Sequence, residues 1–259
     1  MEVAMIRGSV CVAFGALLLS LLVTGCGGGG NDNGEPSALP ANGSAVCEAV
    51  KGAERFRYTL NYVLESPQQE SPPTDPPAAD YAIPPSQPDF RFDITHSGSA
   101  VRPDRLDFLI STTPDQPSTR TIRIGENQWF LLGDNWQVAS EPGAFPLTPP
   151  NVCDVLVAPL DLTGKTADLQ TVGDTEARHV RVDAASLSAA SQLFGPASDM
   201  GRLLTSYDVD LWLDKKNDRL VKLEAVSKGS YPFGRELSLK IVMDVSSYND
   251  DEIEIQPPL

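Results

Sequence analysis

Residues 55–65 read RFRYTLNYVLE. Phe56, Tyr58, Leu60, Tyr62 and Leu64 fall on one parity, while Arg55, Arg57, Thr59, Asn61 and Glu65 fall on the other. A period of two over this length is the mark of a β-strand with one face on a core and one in water. The same alternation recurs along the chain. Phe90, Phe92 and Ile94 oppose Arg91, Asp93 and Thr95, and Leu106, Phe108 and Ile110 follow. Ile122 and Ile124 share a face in residues 119–124. Gly125-Glu126-Asn127 and Gly133-Asp134-Asn135 turn the chain around residues 128–132. Strands are expected again at Asp168–Val172 and Ala177–Asp183. Val209, Leu211 and Leu213 form another apolar row, Asp214–Asp218 makes a turn, and Leu223 and Ala225 continue beyond it. Leu237, Leu239, Ile241, Met243 and Val245 form one face of the last long strand.

Strands joined by short turns pair antiparallel, because parallel pairs need long crossovers. Helices are few. Residues 45–54 suit a short helix with Ser44 as its N-cap. Residues 151–160 suit another after Pro149-Pro150, with Asn151 as cap. Residues 184–205 are the third helical section, broken at Gly195-Pro196. Residues 66–89 are Pro-rich without Lys or Arg and read as an irregular surface insertion, with a binding lid as the functional alternative. Nine or more twisted strands tend to curl. The expected fold is α+β and mainly antiparallel β, a curved, half-open barrel whose concave face is plugged by a few short helices.

The N-terminus belongs to another category. Arg7 precedes an apolar run, Val10–Val23, too short for the roughly 20 residues of a spanning helix. It has the build of a signal-peptide core. The run ends in Leu22-Val23-Thr24-Gly25-Cys26, which resembles the bacterial lipobox. That resemblance implies cleavage after Gly25 and a lipid anchor on Cys26. One acyl chain binds a membrane marginally, whereas two or three, at about 0.8 kcal/mol per buried CH₂, hold firmly. Residues 1–25 are then the signal, residues 26–44 a Gly/Pro/Ser-rich tether, and residues 45–259 a single domain. The expected location is exported, anchored to the outer face of the cell membrane or envelope.

Of the four cysteines, Cys11 leaves with the signal and Cys26 carries lipid. Cys47 and Cys153 remain, and an oxidising compartment favours a disulfide between them, with two free thiols as the alternative. The bond would close a loop of about 100 residues, worth roughly 4–5 kcal/mol in the chain-entropy model. No metal-ligand spacing connects the cysteines to His96 or His179, so no metal and no cofactor are expected.

The net charge of −15 argues against nucleic acid, which needs a basic face. Catalysis lacks a framework: there is no GxSxG elbow, HExxH or P-loop. His96 and His179 are both expected on the strand face opposite the apolar one. Asp208 and Asp210 fit a solvated strand face, and Asp214–Asp218 lacks the glycine and closing Glu of a calcium loop.

The short helix running into a long strand (residues 45–65), the segment IRIGENQWFLLGDNWQ (122–137) and the hairpin VDLWLDKKNDRLVKLEA (209–225) together resemble the LppX/LprG-type lipoproteins. Trp129 and Trp136 flank a turn and Trp212 precedes the Asp-initiated one, as in that family. Those proteins share an incomplete β-barrel with the LolA/LolB lipoprotein carriers. The resemblance implies a non-enzymatic carrier of glycolipids, apolar envelope lipids or lipoprotein chains. The Pro-rich insertion and the cysteine pair depart from the common pattern.

An apolar cavity between sheet and helices is where such a ligand would sit. Its expected lining is Tyr58, Leu60, Tyr62, Phe92, Ile94, Phe108, Ile110, Leu211, Leu239 and Ile241. The segment Leu193-Phe194-Gly195-Pro196 is a plain helix break or, in the functional reading, a gate. The leading function is a membrane-anchored lipoprotein that binds lipid or acylated molecules for transport or transfer across the envelope. The alternative is a cell-surface protein-binding or sensory module with no lipid ligand, and a hydrolase is the weakest reading.

Overall fold

The structure, a computed structural model, describes residues 39–66, 89–113, 116–139, 148–187, 193, 204, 206–230 and 236–258. The central strand β1 spans Arg55–Ser66, and its core face is the predicted row Phe56, Tyr58, Leu60 and Tyr62. It pairs antiparallel with β2 (Phe90–Val101) on one side and β11 (Glu236–Ser246) on the other. From β2 the sheet continues through β3 (Arg105–Thr113), β4 (Gln116–Ile124), β5 (Asn127–Leu132) and β6 (Asn135–Val138). From β11 it continues through β10 (Leu220–Ser230), β9 (Ser206–Asp214), β8 (Thr175–Ser186) and β7 (Asp168–Val172).

The spatial order is β6-β5-β4-β3-β2-β1-β11-β10-β9-β8-β7. Each wing is a meander, and β1 with β11 joins the two ends of the chain at the centre. β6 and β7 are the free edges, so the sheet is an incomplete barrel: mainly antiparallel, open, with few helices. Three of its hairpins turn on a glycine followed by an acid: Gly125-Glu126, Gly133-Asp134 and Gly173-Asp174. These glycines have φ of +60°, +61° and +57°, the conformation a two-residue hairpin asks for.

Two helices lie on the inner face: α1, Gly43–Lys51, and α2, Pro149–Leu156. Val46, Cys47 and Val50 of α1 and Val152, Cys153 and Leu156 of α2 join the inner rows of the central strands in one apolar core. Cys47 and Cys153 are disulfide-bonded with Cα atoms 5.6 Å apart. Ser44 Oγ donates to the Ala158 carbonyl (3.1 Å), and Lys51 pairs with Asp154 at 2.5 Å.

Several expectations are corrected. The first helix begins at Gly43, two residues early, because Asn42 rather than Ser44 is the cap: its side chain accepts from the Ala45 N–H. The fold therefore reaches into the stretch expected as tether, and Asn42 bridges to Asp161. The second helix ends at Leu156 rather than residue 160, and Thr148, not Asn151, occupies its cap position. Residues 184–186, expected as helix, extend β8; Ala184 takes φ +50° there and its N–H donates to Asp208 Oδ1. The rest of that helical section lies outside the described residues apart from Leu187, Leu193 and Leu204, all buried.

His96 lies on the core face, not opposite it. It continues the even row of Phe92 and Ile94, pairs across to Leu60 and Ile110, and is 6% exposed. His179 is on the outer face, as expected, between Asp210 and Gln170 and stacked on Trp212. Phe194, Gly195 and Pro196 lie outside the described residues, as does the insertion apart from Ser66 and Asp89.

Candidate functional site

Register decides which of the ten expected lining residues share a wall. Tyr62 stands opposite Ile241 and Ile94, and Tyr58 opposite Gly98, which faces Phe108. Leu64 lies between Leu239 and Phe92, and Leu60 reaches Ile110 through His96. Leu211 joins through Leu223 and Met243. All ten therefore lie on the inner face. They are not equally covered. Tyr58, Leu60, Tyr62, Phe108, Leu211, Leu239 and Ile241 are buried beside the helices. Ile94 and Ile110 are half-buried, and Phe92 is 46% exposed.

The uncovered part of the wall continues into the β3–β6 wing. Phe130 stands opposite Thr121, which faces Phe108, so it is on the inner face; it is half-buried. Leu132, two residues on, is 51% exposed. Among the described residues, two helices of about 10–12 Å diameter cover only part of a sheet of eleven strands spaced about 4.8 Å apart. The inner face is thus a closed core at the centre and an incompletely covered apolar surface on the β2–β5 side.

Two buried polar groups mark this face. The Tyr62 hydroxyl has no hydrogen-bond partner, and burial holds it protonated far above the ordinary tyrosine range. The Gln128 side chain, 1% exposed, has neither its Nε2 nor its Oε1 paired. Buried polar groups are nearly always satisfied, so such orphans point to a function or a guest.

His96 stacks flat on Phe108, with ring centroids 6.0 Å apart and planes inclined by 3°. Burial pushes its pKa below the ordinary histidine value, so the folded protein holds the neutral ring. The unfolded chain then binds more protons, and stability is full above about pH 6.5 and lost as pH falls below it. A His96→Phe variant, which keeps the stack without the titration, is expected to lose less stability than the parent between pH 7 and 5. Urea denaturation at the two pH values checks this; equal losses in parent and variant would refute it.

The sequence row Ile122/Ile124 turns out to face outward. Ile122 stands opposite Trp129, which faces Val138, and Leu131 stands opposite Trp136. Arg120 bridges to Asp107 and lies over the Trp136 ring on that same outer face. The inner positions of β4 are instead Thr121 and Arg123.

Arg123 leads to a pocket of 360 Å³ at the end of the wing, between the β2–β3 turn, the β4–β5 turn and the start of α2. Arg102, Arg105, Asp104, Phe56 and Leu106 also line it. Arg102 lies in the β2–β3 turn, Arg105 at the start of β3 and Arg123 at an inner position of β4, places that side-chain alternation does not mark as a site. A second hollow of 590 Å³, lined by Asp174, Asp214, Arg219 and Asp244 among others, lies at the β7–β8 and β9–β10 turns. Among the described residues there is no cluster of His, Cys, Asp and Glu able to hold a metal, and no helix long and apolar enough to cross a membrane.

Fold and site define an open antiparallel half-barrel with an apolar inner wall. In solved structures the chain is similar to LprF from Mycobacterium bovis, with 13% identity, a TM-score of 0.41 and coverage of 82% of this chain and 93% of that one. It is also similar to a LolA superfamily protein from Nitrosomonas europaea, with 10% identity, a TM-score of 0.26 and coverage of 83% and 96%. No protein-family model and no curated protein matches the chain.

Proposed function

We propose that this protein is an exported lipoprotein, anchored through Cys26, that binds lipid or acylated molecules on the inner face of its sheet for transfer across the envelope. The incompletely covered apolar wall of Phe92, Ile94, Ile110, Phe130 and Leu132 is the observation that carries the reading. Acyl chains laid there leave water at about 25 cal/mol per Å² of apolar surface buried. The orphan Tyr62 hydroxyl supplies a hydrogen-bonding point within the wall. The signal-like N-terminus supports export, and the LppX/LprG resemblance implies acylated cargo. The mechanism is sequestration, with no bond made or broken.

Native mass spectrometry of the chain produced in cells tests the proposal. The expected result is a population carrying lipid mass, retained when residues 66–89 are deleted. A protein free of lipid under every mild extraction would refute it.

The outer face of β4–β6 favours a second reading, a protein-binding module. Trp129, Leu131 and Trp136 are half-buried there and Val138 is 67% exposed. Under that reading Val138→Glu abolishes partner capture and leaves lipid content unchanged.

A further inference from the structure

We infer that the pocket between the β2–β3 turn, the β4–β5 turn and the start of α2 binds a phosphate-type oxyanion, carried as the head group of the lipid. The inference rests on the lipid-carrier reading and adds the class of ligand.

Most described arginines of this acidic protein already have a partner. Arg55, Arg57, Arg91, Arg120, Arg178 and Arg181 each make an ion pair. Arg219 lies over the Tyr248 ring. Arg102, Arg105 and Arg123 are the remaining described arginines, and among the described residues no carboxylate pairs with any of them. All three line this one pocket. With a net charge of −15 and 35 acidic residues, carboxylates are abundant, yet these three arginines line one pocket with Asp104 as its single carboxylate.

Backbone carbonyls hold two of them in place. Arg105 Nη1 donates to the Ile255 carbonyl (3.0 Å) and Arg123 Nε to the Gly125 carbonyl (3.1 Å). Each keeps further N–H donors for a ligand, in the fork geometry that suits phosphate. Asp104 makes no ion pair among the described residues, and three arginines against one carboxylate leave the pocket a positive excess.

The surroundings are amphipathic. Phe56 and Leu106 give the pocket an apolar floor that belongs to the inner face of the sheet. Gln128, the cross-strand partner of Arg123 on that face, is the buried side chain whose amide has no partner. The volume of 360 Å³ lies within the range of small-molecule sites. A cationic rim beside an apolar wall fits an anionic amphiphile.

The test uses the full chain, stripped of lipid and mixed with micelles of an uncharged, phosphate-free maltoside detergent containing either dioleoyl phosphatidylglycerol or dioleoylglycerol. Retained lipid is read by native mass spectrometry. The expected result is about a tenfold preference for phosphatidylglycerol, lost in the triple variant R102Q/R105Q/R123Q, which still takes up dioleoylglycerol. Inorganic phosphate is expected to compete with phosphatidylglycerol alone. A thermal melt of the triple variant, matched to the parent, shows that it is folded. A preference that survives in the folded variant overturns the inference, and so does equal uptake of both lipids, which leaves the carrier reading standing. Phosphate that binds through the arginines without displacing lipid overturns the head-group assignment in favour of a free oxyanion. Uptake of neither lipid overturns the carrier reading itself.

Discussion

Replacing Cys47 and Cys153 together by alanine is expected to lower the unfolding free energy by about 4 kcal/mol. The bond links positions separated by 106 residues, and loops of that order carry about 4.7 kcal/mol of closure entropy in the unfolded chain. The effect is large because of what the bond joins. α1 and α2 are short, 9 and 8 residues, well under the length at which a helix persists alone. They are held by the inner face and by each other: Gly43 N–H donates to the Leu160 carbonyl (2.9 Å), and Lys51 meets Asp154. Both cysteines are buried, at 1% and 0% exposure, so alanine also removes packing. Urea denaturation of the variant, and of the parent with and without reductant, reads the loss. A difference below about 1 kcal/mol would mean that packing alone holds the helices.

The fold was legible where side-chain parity alone decides it. β9 and β11 bury one parity and leave the other exposed or half-buried, as β1 does as far as Tyr62, so these rows are readable from residue type. Legibility fails where both parities carry apolar residues or where register depends on a distant strand. In β4, Ile122 and Ile124 attract assignment to the core. Pairing with β3 puts Phe108 opposite Thr121, and the isoleucines then face Trp129 and the outer surface. The reversal also brings Arg123 inside, where side-chain alternation alone does not place it. His96 is a different failure: a titratable residue was assigned outward by chemistry although its parity matched Ile94. The structure accommodates it by neutralising it against Phe108. The helix caps lie two residues earlier than expected at α1 and three at α2; at α1 Asn42 and Ser44 are both good caps, and Gly43 makes the close approach to the Val157 carbonyl that starts the helix early. Of the candidate site, the apolar wall was readable. Its incomplete cover and its charged end needed the sheet order.

Gly98→Val is expected to cost about 3 kcal/mol, the upper end of what overpacking does to a core. Gly98 sits within β2, between Tyr58 on β1 and Phe108 on β3. A Cβ there would meet the Asp107 carbonyl oxygen and would lie 2.7 Å from Cα and from Cβ of Phe108. Two of these three atoms are backbone, so moving the Phe108 ring cannot make room; β3 itself must shift. This separates two explanations for the glycine. If it serves the aromatic ring, Phe108→Ala should relieve the valine, and the double mutant will be less destabilised than the single losses predict. If it serves the approach of the two strands, the losses add within about 0.5 kcal/mol. The geometry requires the second outcome. Urea denaturation of the two single variants and the double decides it, and a coupling of 1 kcal/mol or more in the rescuing direction would overturn it. The consequence reaches the site. Phe108 stacks on His96, and its strand carries Ile110 and Leu106, one on the half-covered wall and one in the arginine pocket. A shift of β3 forced by residue 98 therefore moves both, and lipid retention in Gly98→Val should fall even among molecules that remain folded.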